Sequence, residues 1–181
     1  YGNISSSFFG AKFSRAVEEM LVSPMPNWVI LSGYVIGAVV RGLAVGTLVL
    51  AVALFFTSLH LKHPLIALLA ILLGSVIFSL AGFINAVYAK KFDDIALVPT
   101  FIIAPLTYLG GVFYSIKMLG EPWQAISRIN PILYMVNAFR YGVLGISDVG
   151  VGTAFAVMGL FVAVLATFAL QLLKRGVGLR S

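Results

Sequence analysis

Beyond Arg41, four long stretches of this 181-residue chain hold no Asp, Glu, Lys or Arg, and they constrain the fold more than any other feature: 42–61, 63–89, 95–116 and 149–173. Each reaches or exceeds the roughly 20 residues that cross a hydrocarbon core of about 30 Å. A strand barrel is excluded by pattern. Its segments run to about 10 residues with strict alternation, whereas these runs are long and apolar on all sides. Inside lipid the remaining solution is the helix, which satisfies its own backbone hydrogen bonds. The composition agrees: 61% of residues are apolar and 10% charged, with mean hydropathy +1.07, against about 25% charged in soluble domains. The fold class expected is all-α and membrane-integral, with four full spans.

The punctuation between these runs divides the chain. Residues 1–10 read as the end of a preceding span, so a further segment is expected upstream of Tyr1. Residues 11–26 form an amphipathic stretch in which Phe13, Val17, Met20 and Leu21 fall at i, i+4, i+7 and i+8 on one helical face. Lys12, Arg15, Glu18 and Glu19 mostly occupy the rest, and Pro24 and Pro26 stop the helix. Spans are expected at 27–59, 64–88, 95–110 and 152–173. The first exceeds the membrane thickness, so its opening turns, with Trp28 and Tyr34 suited to an interface, lie outside the core and Arg41 falls near the boundary or a little inside it. Pro99 and Pro105 are expected to kink the third span. Gly110-Gly111 breaks it, and residues 112–146 are too polar for a span and too apolar for a plain loop. Pro122 opens one short helix that Asn130-Pro131 stops, and a second runs from about Ile132 to Leu144. Such lengths suit a re-entrant hairpin in one leaflet.

With four spans both termini share a side. That side carries Lys12, Arg15, Lys90, Lys91, Lys174, Arg175 and Arg180, against Lys62, Lys117, Arg128 and Arg140 opposite. The positive-inside rule therefore places both ends in the cytoplasm. The net charge of +6 reflects this loop bias and is not a nucleic-acid footprint.

Three segments resemble the integral membrane subunits of ABC-2 type transporters, bacterial exporters of drugs and polysaccharides. Residues 18–25 (Glu18, Glu19, Met20, Leu21, Val22, Ser23, Pro24, Met25) are similar to the family's cytoplasmic loop before its third span. Residues 109–114, with Gly110, Gly111, Phe113 and Tyr114, are similar to its Gly-Gly-aromatic break. Asn130-Pro131-Ile132-Leu133-Tyr134 followed by Arg140-Tyr141 is similar to its periplasmic Asn-Pro element. The likeness covers nearly the whole chain in order and spacing, and extends to an uncharacterised enterobacterial inner-membrane permease of that family. The resemblance implies six spans, of which those counted here are spans three to six, and an inner-membrane homodimer of permeases bound to two copies of an ATP-binding subunit that carries the ATP and Mg.

On that resemblance the stretch 11–26 is a cytoplasmic coupling helix, with Arg15, Glu18, Glu19, Met20, Leu21, Ser23, Pro24 and Met25 at the ATPase interface. The competing interpretation is a helix lying on lipid, whose polar face is usually rich in Lys and Arg. Adjacent glutamates argue against it. Gly110, Gly111, Asn130, Pro131 and Arg140 shape the external hairpin, as a gate to the pathway or as a structural lid. Arg41 is a candidate intramembrane charge or snorkels to the cytoplasmic interface. His60 and His63 flank an outer turn with no carboxylate or Cys to complete a metal site, and Asp93 and Asp94 read as a solvated loop. Gly33, Gly37, Gly42 and Gly46 suit helix packing or a dimer contact. No Gly-x-x-x-x-Gly-Lys-[Ser/Thr] sequence is present, so no P-loop binds ATP in this chain, and no catalytic constellation is visible. The other classes weighed are an ion-coupled secondary carrier, which needs ionisable groups near the midplane, and an intramembrane enzyme, for which paired acids or a nucleophile–base pair are absent.

Overall fold

The computed structural model describes residues 1–56 and 61–176, without the side chains of Leu21 and Lys117. Leu59, His60, Arg180 and the Leu21 side chain, each part of the expectations above, lie outside the described residues. The described chain is helical and holds no strand. Its elements are α1 (Gly2–Phe13), α2 (Ala16–Val22), α3 (Asn27–Phe56), α4 (Pro64–Tyr88), α5 (Phe92–Val98), a π-helical turn (Pro99–Ile103), α6 (Ala104–Leu109), a 3-10 turn (Ile116–Met118), α7 (Glu121–Ile129), α8 (Pro131–Leu144) and α9 (Val151–Arg175). Four helical segments are long and apolar enough to span a membrane: Asn27–Phe56, Pro64–Tyr88, Phe92–Leu109 and Val151–Arg175.

The third span differs from its expected form at both ends of the argument. It begins at Phe92, because the Asp94 carboxylate accepts hydrogen bonds from the Lys90 (2.8 Å) and Lys91 (3.0 Å) amides. Asp93 and Asp94 therefore sit in the first helical turn, where the helix dipole favours acidic groups, and not in a loop. Pro99 does not break the helix. The chain widens into a π turn in which the Ala104 amide donates to the Pro99 carbonyl, a register shift that accommodates the missing donors of Pro99 and Pro105.

Helix α4 is the hub, packed against α1, α3, α8 and α9. Its small residues let neighbours come close. A Cβ at Gly82 would lie 2.7 Å from both Ile4 Cγ2 and the Tyr1 carbonyl, and the Ser5 hydroxyl donates to the Gly82 carbonyl at 2.9 Å. At the other end Gly142 of α8 meets Ala67, with a Cβ there only 2.7 Å from Ala67 Cα. Gly74 faces Met135 Sδ, so α8 runs antiparallel to α4. Two clusters result. One joins Ile4, Phe8 and Phe9 of α1 with Val17, Leu31, Leu80, Phe83, Val87, Ile95, Leu172 and Leu173. The other joins Ala70 and Ile77 to Met135, Ala138, Ala154 and Met158. Tyr34, expected at an interface, packs edge-on against Phe8 at 5.1 Å between centroids.

The glycines of α3 play no such part within the chain. Gly33, Gly37 and Gly46 have nothing near their missing Cβ, and Gly42 only Ser75 Oγ at 3.8 Å. Beyond Ala38 no residue of α3 is buried. Gly82→Leu is expected to overpack the α1–α4 crossing and lower stability by about 1–3 kcal/mol, read as thermal unfolding in neutral detergent. Gly46→Leu should leave stability within about 0.5 kcal/mol.

Candidate functional site

Three places in the bundle gather the chemistry. The first is the end where α1, α4 and α9 finish. The Lys12 ammonium donates to the Val87 (2.7 Å) and Ala89 (2.9 Å) carbonyls, supplying partners to the orphan acceptors at the end of α4. Burial lowers the pKa of this ammonium below the ordinary lysine value. With Lys12 anchored, α1 stops at Phe13 and the chain turns through Arg15, the one non-glycine residue with positive φ (62°) among those described. The amphipathic helix expected to run unbroken through 11–26 is therefore two helices. The turn changes the helical phase. Phe13 and Val17, expected on one face, part company: Phe13 is 77% exposed while Val17 is 2% exposed, within the cluster that holds Leu172 and Leu173. No Gly or Asn marks Arg15 as left-handed, and no local pattern shows that Lys12 reaches α4.

Val17 thus fastens α2 to the bundle. Arg15, Glu19, Pro24 and Met25 are exposed, while Glu18, Met20 and Ser23 are intermediate. Val22 is exposed as well, at 87%. Glu18 and Glu19 lie in the first turn of α2, where their charges also suit the helix dipole. Ser23 is extended (ψ 149°), as a residue before proline tends to be, and ends the helix.

The second place runs along α8 from the opposite end of α4 to its middle, and the five hairpin residues lie along it. Asn130 caps α8 by accepting from the Ile132 amide at 3.0 Å and donates its own amide to the Leu106 carbonyl at 2.6 Å. It joins the end of the third span to the start of α8. Pro131 is the first residue of α8, a position that needs no donor. Gly110 is held against Ile132, 2.9 Å from where a Cβ would sit, and Gly111 takes φ +72°. Met135 is level with Gly74 and Pro131 lies one turn deeper, about 6 Å at 1.5 Å per residue, so the α7–α8 turn reaches the middle of α4.

Arg140 closes this end. Its guanidinium pairs with Asp148 at 3.2 Å, the two side chains being 19% and 14% exposed, and also donates to the Gly111 carbonyl. Asp148 in turn accepts from the Ser115 hydroxyl (2.7 Å) and the Ile116 amide (3.3 Å). The Asn137 side-chain oxygen receives the Asp148 amide at 2.8 Å and the Ser147 hydroxyl at 3.2 Å. Asp148, Asn137, Ser115 and Ser147 escaped the sequence reasoning. One signal was available: only Glu121 and Asp148 among the chain's carboxylates follow Asp94 in sequence, so Arg140 had few acids to choose from. Nearby, the His63 amide donates to the Gly142 carbonyl at 2.8 Å and its ring stacks on Tyr141 at 5.0 Å, while His63 stays exposed, in keeping with the solvated turn expected.

The third place is Arg41. Its neighbour Gly42 is level with Ser75, the middle of α4. Arg41 lies about 21 Å from the start of α3 at 1.5 Å per residue, and its side chain lines a cleft with the first turns of α1, which pack at Gly82 toward the α2 end of α4. An open cleft of about 510 Å³ lies beside it, lined by Gly2, Asn3, Ser6, Ser7 and Arg41. Among the described residues no group of three or more metal-ligand side chains occurs.

The chain matches the family model described as ABC-2 type transporter over residues 1–144, which is α1 through the end of α8. It is 53% identical over all 181 residues to the inner membrane transport permease YadH of Escherichia coli K12, covering 71% of that protein. It is 22% identical over 175 residues to nodulation protein J of Sinorhizobium fredii, spanning 97% of this chain and 67% of the relative. The corresponding protein of Rhizobium meliloti is 23% identical over the same shares. No solved structure matches.

The partly buried Arg140–Asp148 pair should be energetically coupled. In a double-mutant cycle of Arg140→Met and Asp148→Leu, the single changes are expected to destabilise more than the double, with a coupling of about 0.5–3 kcal/mol. Thermal unfolding of the four proteins measures it.

Proposed function

The chain belongs to the ABC-2 type transporter family, whose membrane permeases work with ATP-binding subunits, and from that premise we propose that it is the membrane subunit of an ATP-driven exporter. The unit is a homodimer bound to two ATPase subunits in the bacterial inner membrane, with both described ends in the cytoplasm. Its cargo is hydrophobic or amphipathic: a drug, a lipid or a glycan. ATP and Mg belong to the partner subunit.

The observation that carries this reading is the mounting of α2. A helix that transmits force needs one face fixed to the spans and another free for a partner. Val17 and the neighbouring Lys12 contacts fix α2 to α1, α4 and α9, while Arg15, Glu19 and Met25 face outward. Glu18, Met20, Ser23 and Pro24 complete the docking surface, with Leu21 assigned to it on the resemblance alone. A push on α2 then reaches α4 through α1, whose Lys12 is bonded to the end of α4, and through the Ala67–Gly142 contact reaches α8. There Asn130 and Arg140, with Gly110, Gly111 and Pro131, hold the hairpin as an external gate whose Arg140–Asp148 pair opens for release.

The charge of Arg41 within a candidate span favours one second reading, an ion-coupled carrier, because intramembrane charges mark ion pathways. The two part on the partner. Tagged protein extracted gently from its native membrane is expected to bring a P-loop ATPase with it. Glu18→Ala/Glu19→Ala should reduce the recovered ATPase by about tenfold, the loss of about 1.4 kcal/mol of binding. A dimeric preparation that carries no ATPase would sink the exporter and promote the carrier.

A further inference from the structure

We propose that the third span is a jointed strut. One half, α5, is tied to α4 and the other half, α6, to the hairpin, and the proline-flanked π turn between them is the joint at which the hairpin tip swings. As the device that opens the external gate it rests on the exporter reading; as a joint it does not.

An α-helix stays straight because each carbonyl takes the amide four residues on. Pro99 withholds the amide due to the Ile95 carbonyl, and Pro105 withholds the one due to Phe101. The first gap is filled from outside the span: the Asn85 side-chain amide on α4 donates to the Ile95 carbonyl at 3.2 Å. Ile95 is also the buried residue of this span, and the Phe9 and Phe92 rings meet edge-on at 4.7 Å. Helix α5 is therefore held to α4 and α1. The far end has other partners. The Leu106 carbonyl takes the Asn130 amide at 2.6 Å, the Tyr108 carbonyl takes the Tyr114 hydroxyl at 2.7 Å, and Gly110 lies against Ile132. Helix α6 therefore belongs to the hairpin.

Between those ties the span is soft. Among the described residues, no side chain from outside the span donates to a carbonyl between Ile95 and Leu106. The side-chain bond found there is internal, from the Thr107 hydroxyl to the Ile103 carbonyl at 2.8 Å, a back-bond of the kind that bends helices. The ladder itself changes register, the Ala104 amide reaching five residues back to Pro99. Prolines and π turns are two of the few features that kink a helix sharply, and a hinge is a short segment of this sort between two bodies that keep their own packing. The hairpin supplies the pivot. Gly142 sits on Ala67, so the base of α8 is fixed, while its Pro131 end, where Asn130 grips α6, is the part that tilts. Leu109 is eight residues on from Phe101, or about 12 Å, so a bend of about 20° at the π turn carries it about 4 Å.

The test uses the whole gene product in lipid nanodiscs with its co-purified ATPase. The 181 residues hold no cysteine, so spin labels go on introduced pairs at exposed positions, in chains diluted with unlabelled protein. Leu97→Cys/Ile126→Cys spans the joint, and Leu69→Cys/Leu97→Cys lies on one side of it. Pulsed electron–electron resonance reads both distances. Trapping with ATP and vanadate is expected to move the first pair by about 4 Å and to leave the second in place. Pro99→Ala/Pro105→Ala restores both missing amides and should abolish the shift while the ATPase is still recovered. Wild type without the shift, or with an equal shift in both pairs, overturns the joint whether or not the variant folds. A shift that survives in the folded variant overturns it too. All three results leave the exporter standing. Should no ATPase be recovered, the exporter reading falls and the joint is read without nucleotide. The first pair is then expected to give the broader distance distribution, narrowed by the two alanines, and equal widths for the two wild-type pairs overturn the joint.

Discussion

No hydrophobic force draws one lipid-embedded helix onto another, since lipid tails are as apolar as leucine. This bundle instead depends on backbone approach along α4. Gly82 admits α1, and Ala67 and Gly74 admit α8. Both contacts are van der Waals in origin, and the first is completed by the Ser5 hydroxyl on the Gly82 carbonyl. Because α1 and α8 lie toward opposite ends of α4, a single helix ties together the two ends of the molecule.

Polar groups then finish what close packing begins. Each stitch satisfies a backbone group that lipid would leave orphaned. Lys12 serves the last carbonyls of α4, Asn130 serves α6 and α8 at once, and Arg140 and Asp148 serve the loops around residues 111 and 116. Arg41 stands apart from these: it is charged and lines an open cleft beside α1. In α3 the packing is confined to the first half, and the remainder offers an apolar surface to its surroundings.

Much of this was legible from residues alone. The charge-free runs located the spans, and Pro122 with Asn130-Pro131 located both hairpin helices, because proline and Asn-Pro act on the chain where they stand. The boundaries went astray where a side chain acted from outside its own segment. Asp94 reaches back to the Lys90 and Lys91 amides and starts the third span early. The left-handed Arg15 comes three residues after Lys12, whose anchor on α4 lies seventy-five residues away. Asp148 escaped notice because its partner Arg140 is eight residues off, across a turn at Gly145, outside any helical spacing.

By itself the sequence determined that the chain is helical, that it holds four helices long and apolar enough to cross a membrane and two short ones divided at Asn130-Pro131, and which family it resembles. These follow from apolar length and from local breakers, properties that a segment carries wherever it sits. Tertiary structure decided alignment and pairing. Helix α3 is longer than the hydrocarbon core, so how its turns line up with those of α4 is set by where Gly42 meets Ser75, not by counting from its start. The same holds for the face of α2 that turns inward and for the acid that Arg140 finds. Each depends on a contact between residues far apart in the chain, which exists only once the helices have packed.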